Sequence, residues 1–138
     1  KSGAGAGDPG LAWGDAVRWY GWEEGLGLAK SEGKAVCLVV YADWCERCEE
    51  LAPVFSQPGI AAMARGLVMV RQDQDQAPAW LRERFGEVGN YVPRVLFLDA
   101  DGNLRADIQS GHPRYPYFYS HHVADRLLAN MHAAARGG

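Results

Sequence analysis

The residues with the most chemistry in this chain are two cysteines separated by two positions, in the run Trp44-Cys45-Glu46-Arg47-Cys48. The pair follows an apolar, β-branched stretch and precedes a helical pattern, so it is expected where a buried strand ends and a helix opens. At a helix N-terminus the unpaired backbone N–H groups and the macrodipole favour an anion, and a cysteine placed there gives up its proton to chemistry more readily. Cys45 is therefore the expected nucleophile. Two intervening residues carry Cys48 one helical turn onward, close enough to form a disulfide with Cys45 and more shielded, which makes it the expected resolving thiol. Of the two residues between them, Arg47 would favour a thiolate and Glu46 would oppose one, so both are candidate modulators of the pair. Zinc sites also use C-x-x-C, but they need four ligands. Cys37 lies inside a strand pattern, and His112, His121, His122 and His132 have no paired ligand spacing. Neither a metal nor an organic cofactor is expected.

The elements that must position this motif alternate in period, the pattern of an α/β domain. A short strand is expected over residues 16–20 and a helix over 22–32 ended by Gly33. A central strand follows over 34–41, with Cys37, Val39 and Tyr41 on one face and Val36, Leu38 and Val40 on the other. A helix bent at Pro53 should run from residue 45 to about residue 65, because a mid-helix proline removes a hydrogen bond and clashes one turn back. Further strands are expected over 67–71 and 94–98, with a helix over 78–85 between them. A tight turn at Asp101-Gly102-Asn103 should lead to an antiparallel return over 104–108. The last helix, over 120–135, carries Val123, Leu127, Leu128 and Met131 on one face behind a serine N-cap.

The 138 residues make one domain and are too few for two, and 48% hydrophobic with 22% charged residues is ordinary for a globular chain. Residues 1–11 are glycine-rich at the start and are expected to form a flexible leader to a domain over 12–138. The 14 basic and 17 acidic residues give a net charge of −3, which offers no basic field to nucleic acid or anionic lipid. The longest apolar run, residues 35–42, is far below the roughly 20 residues of a spanning helix, so no membrane insertion is expected. Three cysteines cannot build the disulfide framework of a small secreted scaffold. The chain opens at Lys1 without a charged-then-apolar signal, as expected of a processed secretory protein or a trimmed chain.

YADWCERC over 41–48, the proline at Pro53, and Tyr91-Val92-Pro93-Arg94 entering a strand resemble the thioredoxin fold, a central mixed β-sheet flanked by helices. More narrowly, GNYVPRVLFLDADGNLRADI over 89–108, then PRYPYFY over 113–119 and an amphipathic helix, are similar to the small single-domain thioredoxin proteins of the endoplasmic reticulum. That group comprises thioredoxin domain-containing protein 12 and the anterior gradient proteins. The resemblance implies a thiol–disulfide oxidoreductase that forms, reduces or isomerises disulfides in protein substrates, in the endoplasmic reticulum lumen or secreted. Glutathione or another oxidoreductase would restore its working state. It further implies that Pro93 is a cis-proline facing the cysteines across a groove, that the Val92 backbone pairs with an extended client, and that Trp44 offers clients an exposed apolar surface. Having two cysteines in the motif is like the redox-active member of the group, whereas anterior gradient proteins have one. Two departures stand out: Val39 occupies the place of the buried acid that many thioredoxins carry, and Glu46-Arg47 is unlike their common dipeptides. Two rival readings share these residues: a client-binding adaptor or chaperone with little redox turnover, and a cytosolic or periplasmic reductant.

Overall fold

The computed structural model describes residues 11 and 13–137. In chain order the regular elements are β1 (Trp19–Tyr20), α1 (Trp22–Glu32), β2 (Val36–Tyr41), α2 (Glu46–Leu51), α3 (Pro58–Ala64), β3 (Val68–Asp73), α4 (Ala79–Phe85), β4 (Arg94–Leu98) and α5 (Ala124–Gly137), with single 3-10 turns between several of them. The strands make one mixed sheet in the order β1-β3-β2-β4. β3 runs parallel to both β1 and β2, and β4 runs antiparallel to β2.

β2 is buried along its whole length because helices cover both faces of the sheet, which is why its sequence is apolar at every position. Cys37, Val39 and Tyr41 face a core filled by α2, α3 and α5, while Val36, Leu38 and Val40 face α1 and α4. The alternation read from the sequence is the one observed. α1 stops at Gly33, whose φ of 66° is left-handed and whose N–H reaches the Ala29 carbonyl. The same helix lies hard against β3: a Cβ at Gly25 would fall 2.5 Å from Val70 Cγ2. Ahead of α5, Ser120 Oγ accepts the His122 N–H at 3.2 Å, and Leu127 and Met131 of the helix are fully buried.

Three expectations need correction. Only residues 19 and 20 of the first strand pair with β3. The single bent helix over 45–65 is three pieces: α2, a 3-10 turn over Ala52–Ser56, and α3. Pro53 withholds a donor from the α pattern, and Pro58 then forces Gln57 into extended backbone with ψ 137°, which ends the first stretch. The antiparallel return over 104–108 amounts to one bridge, Leu98 with Leu104. The turn before it forms, with Asp99 Oδ1 accepting the N–H groups of Asp101 and Asn103 at 2.9 Å each. Arg105 N–H still reaches the Phe97 carbonyl at 2.7 Å, but Ile108 then bonds back to Arg105 and takes the chain off the sheet, and the Tyr117 carbonyl accepts the Val95 N–H instead. The leader expected over 1–11 lies outside the described residues except for Leu11, which is buried in the core on the cysteine face. Among the described residues no helix is long and apolar enough to cross a membrane.

Candidate active site

Because β2 and β3 are parallel and β4 is antiparallel, the ends of β2 and β3 and the beginning of β4 share one rim of the sheet. The loops of that rim gather the cysteine motif, the segment after Asp73, and Val92-Pro93. Residues far apart in the chain meet there for this topological reason.

Cys45 is the N-cap of α2, with extended backbone at φ −91° and ψ 114°, and its Sγ accepts the Cys48 N–H at 3.1 Å. A sulfur in the capping position receives a donor that the helix would otherwise leave unpaired. On its other side the Cys45 thiol donates to the Val92 carbonyl at 3.7 Å. The Val92–Pro93 peptide bond is cis, and Pro93 is buried. Cys45 retains 5% exposure while Cys48 has none, and both thiols are free. Burial pushes the Cys48 thiol well above the ordinary thiol range, and its hydrogen bond with Cys45 adds to this, partly offset by the Ala42 backbone. Burial does the same to Cys37, which sits at the sheet centre as a small apolar group.

Trp44, next to Cys45, is 69% exposed, and its indole Nε1–H donates to Asp75 Oδ2 at 2.7 Å. Asp75 N–H in turn donates to Asp73 Oδ1 at 2.8 Å. The two residues between the cysteines are exposed. Arg47 Nη1 is paired with Glu50 Oε1 at 3.1 Å, and the same oxygen has His121 Nδ1 at 3.5 Å, while Glu46 stands in the first turn of α2. Val39 is fully buried, so no acid lies at that position, and Asp43 is exposed. The carboxylate whose charge acts on Cys48 is Asp73, half-buried at the end of β3 and abreast of Tyr41. Sequence reasoning passed over Asp73 and Asp75. The available signal was the polar run after β3, which a parallel neighbour of β2 must deliver to the same rim. In the aromatic run, Tyr117 and Tyr119 pack inward, and Tyr115 stays exposed against Tyr91 with ring centroids 4.9 Å apart. Among the described residues no group of three His, Cys, Asp or Glu could hold a metal ion.

Comparison with known proteins agrees with this geometry. Anterior gradient protein 2 of Xenopus tropicalis is 32% identical over 124 residues, a match that takes in 88% of this chain and 73% of that protein. Anterior gradient protein 3 of Homo sapiens is 30% identical over 132 residues, covering 90% of this chain and 74% of the relative. Among solved structures, the disulphide isomerase from Xylella fastidiosa Temecula1 superposes with a TM-score of 0.54 at 21% identity, over 83% of this chain and 80% of that one, a likeness of fold. A family model for thioredoxin-like proteins matches residues 18–100. With a mixed sheet, a cysteine pair capping the helix after β2, and these relatives, the chain belongs to the thioredoxin-like family and, within it, to the anterior gradient group.

Proposed function

We propose that this protein is a thiol–disulfide oxidoreductase that acts on the cysteines of other proteins in the secretory pathway. The observation that carries the reading is the division between the two sulfurs: Cys45 caps α2 and opens towards the Val92 carbonyl, while Cys48 lies sealed one turn inside. In the reducing direction the Cys45 thiolate attacks one sulfur of a client disulfide. That S–S bond breaks, a Cys45–client disulfide forms, and the second client sulfur leaves as a thiolate that takes up a proton. Cys48 then loses its proton and attacks Cys45 Sγ, which expels the remaining client sulfur and leaves a Cys45–Cys48 disulfide. Two electrons have passed from the protein to the client, and the same steps reversed oxidise a client dithiol.

A client strand laid beside Val92 would find a backbone edge next to the Cys45 sulfur, with the exposed Trp44 and Tyr115 as apolar contacts. Glutathione or a second oxidoreductase would return the protein to its working state. Insulin reduction with a dithiol donor tests the reading. Turnover that depends on Cys45 is expected, and a protein that binds clients without turnover would instead be an adaptor whose cysteines do not exchange.

A further inference from the structure

On the side of the sheet opposite the cysteines, α4 and the segment after it overhang the start of β4 and leave a cavity of about 380 Å³. That volume lies within the range of small-molecule sites. Pro78, Leu81 and Phe85 form its apolar wall, Arg82 stands exposed beside it, and Arg94 lines its inner side. The Gln74 side-chain amide donates to the Asn90 carbonyl and ties together two further lining residues.

Arg94 is the unusual member. It is only 2% exposed, on a face otherwise built from apolar side chains. Its Nη1 donates to the Tyr91 carbonyl and its guanidinium lies 5.8 Å from the Tyr91 ring centroid, but its Nε has no partner. Among the described residues neither Arg94 nor Arg82 has an ion-pair partner, and no aspartate or glutamate lines the cavity. A guanidinium stays charged when buried, and a charge removed from water without a counter-charge is costly, so this cavity is electrostatically unfinished. A planar guanidinium fork matches a carboxylate, and the apolar wall matches a short hydrocarbon body.

We propose that this cavity is a binding site for a small amphipathic carboxylate, with its oxygens directed to Arg94 and Arg82 and its hydrocarbon chain against Pro78, Leu81 and Phe85. The proposal uses no residue of the cysteine motif and does not rest on the redox reading. It can be tested by titrating the full chain with sodium octanoate and following backbone ¹H–¹⁵N shifts, with octanol and octylammonium as controls. Saturable shifts confined to residues 74–94 are expected with octanoate and not with either control. Arg82→Glu, at an exposed position, should weaken octanoate by about tenfold or more, the size of a lost hydrogen bond to a charged group. Arg94→Gln should abolish the saturable shifts while circular dichroism shows the fold retained, and Arg82→Glu decides the matter if that variant does not fold. Equal binding of octanol, no saturable shift with octanoate up to about 10 mM, or an unchanged affinity in Arg82→Glu would overturn the proposal.

Discussion

Among the described residues each face of the sheet buries one arginine, and the two are treated in opposite ways. On the cysteine face, Arg71 lies between two indoles, 4.6 Å from the Trp13 ring and 4.9 Å from Trp19, in a cluster completed by Tyr41 and Phe55. Stacking on aromatic faces is a use for which the weakly hydrated guanidinium is suited. On the opposite face, Arg94 has a backbone carbonyl, a tyrosine ring at 5.8 Å and an open cavity. On its side of the sheet Cys48 is fully buried among the core residues, whereas on the other side α4 stands off from the start of β4 and leaves the cavity beside Arg94.

The strongest way to break this comparison is at the sulfurs. Cys45→Ala should lower insulin reduction to background and trap no clients, whereas Cys48→Ala should accumulate mixed disulfides visible on a non-reducing gel. Equal trapping by both variants would mean that the two thiols are not divided into an outer and an inner role.

Packing comes next. Leu51 of α2 is 1% exposed in the continuous core, and Leu81 of α4 is 7% exposed at the cavity wall. Truncation to alanine should cost about 4–5 kcal/mol at Leu51 and about 2–3 kcal/mol at Leu81, because a site that already borders open space loses fewer contacts. Urea denaturation of the two variants measures the gap, and equal costs would erase the distinction between a filled and an unfilled face.

Titration separates the faces more finely. Burial holds the Cys37 and Cys48 thiols protonated in the folded state, both on the cysteine face, whereas an unfolded thiol ionises near pH 8.5. The unfolded state therefore binds fewer protons than the folded state above that pH, and the stability of the reduced protein should be intact below it and fall as pH rises past it. The slope is about 1.4 kcal/mol per pH unit for each thiol. Cys37→Ala should remove about half of it in denaturation curves between about pH 8 and pH 9.5.

The smallest effect is expected at the outer edge of the motif. Asp75→Ala frees the Trp44 indole without disturbing buried structure, so stability should stay within about 0.5 kcal/mol. Mixed-disulfide formation with a peptide substrate should slow by about twofold, a value worth roughly 0.4 kcal/mol. A rate unchanged by Asp75→Ala would show that the Trp44–Asp75 hydrogen bond does not serve client contact.

Much of this arrangement could be read before the coordinates. The alternation of Val36 to Tyr41 assigned both faces of the sheet, and the cysteine pair after it located the rim. What failed depended on partners outside the local pattern. Pro53 reads as a bend, but Pro58 acts on the backbone of Gln57 and turns the bend into a break. The 104–108 segment has strand residues, yet its place beside Val95 is taken by Tyr117, a competition that no period reveals. Asp73 and Asp75 sit in a polar turn that gains meaning only when parallel pairing sets it beside Cys48 and Trp44. Arg94 follows a recognised proline, but nothing in the sequence marks it as buried beside a cavity.

Of the five tryptophans, Trp13, Trp19 and Trp22 are buried and Trp80, stacked on Trp22 at 4.2 Å, is half-buried, while Trp44 is the most exposed and stands next to Cys45. The molecule thus has its own optical gauge. Red-shifted emission and collisional quenching by acrylamide will be dominated by Trp44, and the four less exposed indoles will report on whether the chain is folded. One spectrum can follow the state of the motif and the integrity of the domain on separate channels, without a label attached near Cys45.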